Sequence, residues 1–272
     1  METRESYEAA LAALIWQIEL GADEAIADAP LDRYALSAHA MAAQAKAAEA
    51  AAAPPVPATA KPPPPVRAPE VDPVAEARAA AEAASDLGAL AAAMEAFEHC
   101  ELKRGARSFV FCDGAPAARM MIVGEAPGRE EDRAGLPFVG RAGQLLDRML
   151  AAIGLDRRSE DPAMAVYICN VLPWRPPENR KPEALERAMF KPFVEKHIAL
   201  AAPEVVVLMG NTPCETLLGR SGITRIRGEW AEVLGRPALP TFHPAYLLRT
   251  PQAKREAWLD LQQIRSRLES AP

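Results

Sequence analysis

The chain has 272 residues and a formal net charge of -6, room for one full domain plus appendages. Its 50% hydrophobic content is inflated by alanine, and its acidic balance excludes a wholly basic nucleic-acid coat while leaving room for a local basic face. Four cysteines without close pairs make no disulfide framework, no apolar run reaches membrane-spanning length, and the charged first seven residues show no signal-peptide pattern, so the expected location is cytoplasmic.

In chain order, residues 4–20 place Tyr7, Leu11, Leu14, Ile15 and Ile18 at helical spacing, with Trp16 beside them. Residues 1–34 therefore read as an amphipathic helical segment, a candidate docking element for a protein partner. Residues 35–85 are rich in alanine and proline, with the run Pro62-Pro63-Pro64-Pro65 in the middle. Such a segment buries too little to offset its ordering entropy and reads as a largely disordered, semi-stiff linker, the linker proper over about 35–70, with helical character returning gradually after residue 73. Residues 86–272 read as the folded domain.

Within that domain, residues 119–124 form a first apolar strand, 165–172 a second, 204–210 a third and 239–242 a fourth. Helices are expected over 143–153, 183–200, 214–218 and 253–268, and a hairpin over 225–234. The third strand is a continuous apolar run (Val205, Val206, Val207, Leu208, Met209), the mark of a strand covered on both faces. Strands alternating with helices predict an α/β fold. The expected architecture is a three-layer α/β/α sandwich around a four-stranded parallel sheet.

Each strand is followed by an unusual stretch: Gly124-Glu125-Ala126-Pro127-Gly128 and the acids Glu130, Glu131 and Asp132; Asn170 and then residues 173–180; Gly210-Asn211-Thr212-Pro213; and His243-Pro244. In a parallel sheet these ends share one edge, where ligands bind. One cleft is thus expected to gather Glu125, Glu131, Phe138, Asn170 and His243. Such a set suits a planar polar ring. Phe138 can stack on it, Asn170 can both donate to and accept from an imide edge, His243 can donate to a developing anion, and a carboxylate can position water.

The stretches 124–128 and 136–146 (Leu136-Pro137-Phe138-Val139-Gly140-Arg141 onwards), Asn170 with 175–180 (Arg175-Pro176-Pro177-Glu178-Asn179-Arg180), and 243–249 (His243-Pro244-Ala245-Tyr246-Leu247-Leu248-Arg249) together resemble a family-four uracil-DNA glycosylase of bacterial type. The resemblance covers about residues 95–268 and is silent on 1–85. It implies a DNA repair enzyme that flips uracil out of DNA and hydrolyses its N-glycosidic bond, leaving an abasic site. It implies Phe138, Asn170, His243, Glu125 and Ala126 as substrate-binding residues, and Glu131, His243 and Glu125 as catalytic ones. Glu131 is given the water and Glu125 the wall that refuses thymine, although the two carboxylates could exchange roles. Leu247 or Leu248 would wedge into the duplex. Arg141, Arg175, Arg180 and Arg249 would meet phosphates. The implied partner is uracil-containing DNA, with a monomeric, nucleoid-associated protein and no membrane.

One departure stands out. The family usually holds a four-iron, four-sulfur cluster on four cysteines, and of those positions only Cys100 matches; Phe97, Trp174 and Phe190 occupy the others. Cys112, Cys169 and Cys214 lie on or beside strands, where a free cysteine is commonly a small buried apolar residue. The expectation is no cluster and no other metal. Two alternatives to turnover remain: a protein that holds or cross-links uracil-DNA without releasing product, and a nucleotide-binding regulator. The regulator is the weaker, since residues 124–128 match neither a Walker loop nor G-x-G-x-x-G.

Overall fold

The computed structural model of the chain describes residues 72–270. The helical segment expected over 1–34 and the linker as far as residue 71 lie outside the described residues. The first described element is helix α1, Pro73–Ala83, with Pro73 in its first turn and the Asp72 carboxylate accepting from the Val74 amide at 2.9 Å. Helix α2, Leu87–Ala96, is capped in the same way by Asp86, which accepts from the Ala89 amide at 2.8 Å. A short turn of helix, α3, follows at Leu102–Gly105.

The sheet and its helices then alternate: β1 Cys112–Gly114, β2 Met120–Gly124, α4 Arg129–Ala134, α5 Arg141–Ala151, β3 Val166–Asn170, α6 Ala184–Ala201, β4 Val205–Met209, α7 Asn211–Leu218, α8 Ile223–Ile226, β5 Ala231–Val233, β6 Arg236–Thr241, α9 Pro244–Arg249 and α10 Lys254–Ser270. The strand order is β1-β3-β2-β4-β6-β5. The four inner strands are parallel, while β1 runs antiparallel to β3 and β5 antiparallel to β6. The sheet is therefore mixed and six-stranded, a correction to the four-stranded parallel sheet expected from sequence. The two added edge strands have three residues each, too few to show a period. The hairpin also shifts. Residues 223–226 are helical, and the reversal lies at Leu234 and Gly235, both at positive φ (52° and 75°) as a two-residue hairpin turn requires.

Every residue of β2, β3 and β4 is buried, so both sheet faces are covered. Met121, Ile122, Ile168 and Leu208 are wholly inaccessible, and burial of each such side chain contributes about 1.5–3 kcal/mol. The folded unit also starts earlier than residue 86. Ala77 and Ala81, one helical turn apart, are buried as α1 packs on α6. Small side chains let two helices approach closely, so alanine here is a packing residue and the linker expected to extend to residue 85 is helical over 73–83.

Candidate active site

After β2 the chain places β3 on one side and β4 on the other, so a crevice opens at the carboxyl ends of β2 and β4. A cleft of 510 Å³ lies there and gathers Glu125, Ala126, Glu131, Phe138, Asn170 and His243, together with Gly210, Asn211, Tyr246 and Arg249. The six residues that the sequence assigned to substrate and catalysis share this one cleft.

The floor is close-fitting. Gly124 pairs with Asn170 across β2 and β3. A Cβ on Gly124 would lie 2.4 Å from Asn170 Oδ1 and 2.6 Å from the Phe138 ring, so only glycine admits both side chains. Phe138 adopts φ 54°, a strained value for a bulky residue. Its carbonyl rests against Gly143 in the first turn of α5, where a Cβ would come within 1.7 Å. Asn170 is 6% exposed, and its Oδ1 is buried without a hydrogen-bond partner. A buried acceptor left unpaired costs free energy until a donor arrives.

His243 caps α9, its Nδ1 accepting from the Ala245 amide at 3.1 Å. That bond places the proton of the neutral ring on Nε2. Burial, with Arg249 adding to it, lowers the His243 pKa to about 4 against a weaker opposing pull from Glu131. The imidazole is therefore neutral at physiological pH. It stacks on Phe138 with ring centroids 5.3 Å apart and planes 28° off parallel.

The two carboxylates are held differently. Glu131 Oε1 accepts from the amides of Val139 (3.1 Å) and Gly140 (2.9 Å), and its Oε2 accepts from Gly128 (3.1 Å). This side chain ties the loop carrying Phe138 to the start of α4. Glu125 Oε2 instead accepts from the hydroxyl of Thr212 at 2.5 Å, and its other oxygen has no protein donor among the described residues. Thr212 was not among the residues singled out from sequence, although the Gly-Asn-Thr-Pro stretch after a buried strand marked its loop.

The residues expected to face DNA divide. Arg141 and Arg249 are exposed and form no ion pair among the described residues. Arg175 is turned onto Asn179 Oδ1 at 2.9 Å. Arg180 grips Glu186 with two bonds of 2.6 and 3.0 Å, so its guanidinium is already engaged within the protein. Leu247 is 1% exposed and belongs to the core, whereas Leu248 is partly exposed. The wedge role expected of Leu247 or Leu248 thus fits Leu248 alone, because α9 turns Leu247 inward.

At the four positions to which the resemblance gives cluster ligands, aromatic packing dominates. Phe97 meets Phe190 edge to face with centroids 5.9 Å apart, and Phe193 joins them at 5.6 Å from Phe97. Trp174 is buried with its indole N–H unpartnered. Cys100 is buried as well, and burial pushes its thiol pKa up. Cys112 and Cys169 face each other across β1 and β3, and Cys214 lies in α7. No group of three His, Cys, Asp or Glu side chains among the described residues could hold a metal. Three rings and one protonated thiol do not fit an iron–sulfur cluster, which is held by thiolates.

The sequence pattern of the Uracil DNA glycosylase superfamily matches residues 111–262, which span every strand from β1 to β6 and all four site motifs. The chain belongs to the uracil-DNA glycosylase superfamily. It is 42% identical over 153 residues to the type-4 uracil-DNA glycosylase of Thermotoga maritima, a match covering 55% of this chain and 77% of that protein. It is 35% identical over 179 residues to the type-4 enzyme of Sulfurisphaera tokodaii (61% and 77% covered) and 37% identical over 174 residues to that of Archaeoglobus fulgidus (61% and 84% covered). Among the described residues, no helix is long and apolar enough to cross a membrane.

Proposed function

We propose that this chain is a uracil-DNA glycosylase that hydrolyses the N-glycosidic bond of flipped deoxyuridine and leaves an abasic site. The observation that carries this reading is the unpaired, buried Oδ1 of Asn170 at the floor of an aromatic cleft. The N3–H of uracil supplies the missing donor, and the Asn170 amide N–H₂ then reaches O4. Cytosine presents an unprotonated N3 and an amino group, which reverses the pattern and leaves both amide atoms mispaired. Phe138 stacks on the base.

The chemistry follows from the tautomer and the tethers. Water attacks C1′ as the C1′–N1 bond breaks, and the bonding pair leaves on the uracil ring. Neutral His243 donates through Nε2–H to the oxygen on which that negative charge grows. Glu125, with one oxygen free, orients the water, takes its proton and favours positive charge at C1′. Glu131, with its oxygens engaged by three amides, holds the site together rather than activating water. Arg141, Arg249 and Leu248 form the duplex-facing rim. That Phe97, Trp174 and Phe190 stand where cluster thiolates would be needed supports catalysis without an iron–sulfur cluster, and none of these residues lines the cleft. Monomeric action on uracil-containing DNA in the cytoplasm, and recruitment of a protein partner through residues 1–34, complete the reading.

The test is release of uracil from a labelled oligonucleotide by the full chain, beside His243→Ala and Asn170→Ala. Cleavable abasic product from the parent, lost in both variants, is expected. A covalent or tight complex with uracil-DNA and no free uracil favours the non-turnover alternative instead.

A further inference from the structure

We infer that Thr212 is a positioning residue for excision, whose hydroxyl holds the Glu125 carboxylate so that its free oxygen faces the reacting sugar. The inference rests on the glycosylase reading above and adds to it a residue that does not line the cleft.

Glu125 leaves the end of β2, and Thr212 stands in the first turn of α7 after β4. These strands are parallel neighbours on either side of the crevice, so the contact spans the switch point itself. Thr212 is 2% exposed, and its one hydroxyl proton goes to Glu125 Oε2 at 2.5 Å.

The turn beneath Thr212 is fixed from both ends. Gly210 at φ 94° makes the sharp entry into α7, and a Cβ on it would lie 3.3 Å from the His243 Cβ. Thr216 donates to the Thr212 carbonyl at 2.8 Å. Asn211 Oδ1 accepts from the amides of Gly222 and Ile223 at 3.1 and 2.8 Å, which joins the same turn to α8. A rigid donor therefore meets a side chain that has three rotatable bonds and no other tether among the described residues. A charge-assisted bond from a buried hydroxyl removes that freedom, and placement of the reacting groups governs rate.

The measurement is single-turnover uracil excision by the full chain. Thr212→Val keeps the shape and removes the donor. It is expected to lower the rate constant about ten- to hundredfold with substrate affinity and melting temperature near the parent's. Thr212→Ser is expected to restore most of the loss. In a Glu125→Gln background Thr212→Val should cost little more, because the partner it orients is already gone. An active parent with an unchanged Thr212→Val rate overturns the inference alone. So does an equal loss in both backgrounds, or failure of Thr212→Ser to restore activity. A parent that releases no uracil overturns the glycosylase reading and the inference with it.

Discussion

Gly124 and Asn170 stand opposite each other on the last rung of the β2–β3 ladder, and a methyl group on Gly124 would lie 2.4 Å from Asn170 Oδ1. The same methyl would meet the Phe138 ring at 2.6 Å. Gly124→Ala must therefore displace the edge-reading amide, the stacking ring, or both. Misplacement of about 1 Å at a reacting centre costs about a hundredfold in rate. Gly124→Ala is expected to lower kcat/KM for uracil excision by that order while binding of undamaged duplex is kept. Retention of parental kcat/KM would show that the floor tolerates the methyl.

The low pKa of His243, about 4, sets the second expectation. Above pH 6.5 the ring is neutral in both folded and unfolded chains and contributes no pH dependence. Between pH 6.5 and about 4 the unfolded chain binds a proton that the folded one refuses, so this group lowers stability as pH falls. His197 adds to the effect, since burial holds its pKa near 3. For activity, the Nε2–H donor keeps its population from pH 8 down to about 5. The kcat/KM profile should show no His243 inflection near 6.5. Titration of the His243 ring by NMR should place its midpoint near 4.

Much of this site was legible in the chain because its residues fall at strand ends. Three of the four inner strands announce themselves as largely apolar runs, and once the inner strands are parallel, Glu125, Asn170 and His243 must share an edge. What escaped the sequence was what depends on three-dimensional neighbours. The three-residue edge strands carry no period. The alanines of α1 look like linker until α6 supplies the surface they pack on. That Glu131 spends its oxygens on backbone amides, that Leu247 turns inward, and that Thr212 reaches Glu125 are facts of register and rotamer. No spacing rule encodes them.

Arg180 and Arg249 should behave oppositely on DNA. Arg249 is exposed and unpaired among the described residues, so Arg249→Ala is expected to weaken duplex binding and lower the slope of log affinity against log salt by about 0.9. Arg180 is engaged with the largely buried Glu186. Arg180→Ala should leave the salt slope unchanged and instead cost about 1 kcal/mol of stability, discounted for the partial exposure of the guanidinium. Binding titrations at several salt concentrations, with thermal melts alongside, separate the two.

The aromatic side chains at Phe97, Trp174 and Phe190 give a spectroscopic expectation. Protein purified under anaerobic conditions and incubated with iron and sulfide should gain no absorption near ~400 nm, where iron–sulfur charge transfer falls. Cys100→Ala should keep parental excision. Phe190→Ala, which empties a fully buried site, should instead cost about 3–5 kcal/mol. A brown, catalytically active protein that loses both colour and fold on Cys100→Ala would reverse this account.

Glu125 and Glu131 provide the sharpest division, because the same substitution should produce two unlike outcomes. Glu131→Gln replaces one accepting oxygen with an amide N–H₂ facing backbone donors that currently bond at 2.9–3.1 Å. Its loss should fall on stability, about 1–3 kcal/mol for donors left unpaired. In a domain of this size that is about 2–4 °C of melting temperature per kcal/mol. Activity then declines because the loop carrying Phe138 loosens, and KM should rise with the change. Glu125→Gln still accepts from Thr212 but loses the charge that favours the positive sugar and the base that takes the water's proton. Its melting temperature should stay near the parent's while kcat falls by about a hundredfold or more. Melting curves and single-turnover rates on the two variants decide the assignment. A Glu131→Gln that melts like the parent yet loses only kcat returns the water to Glu131.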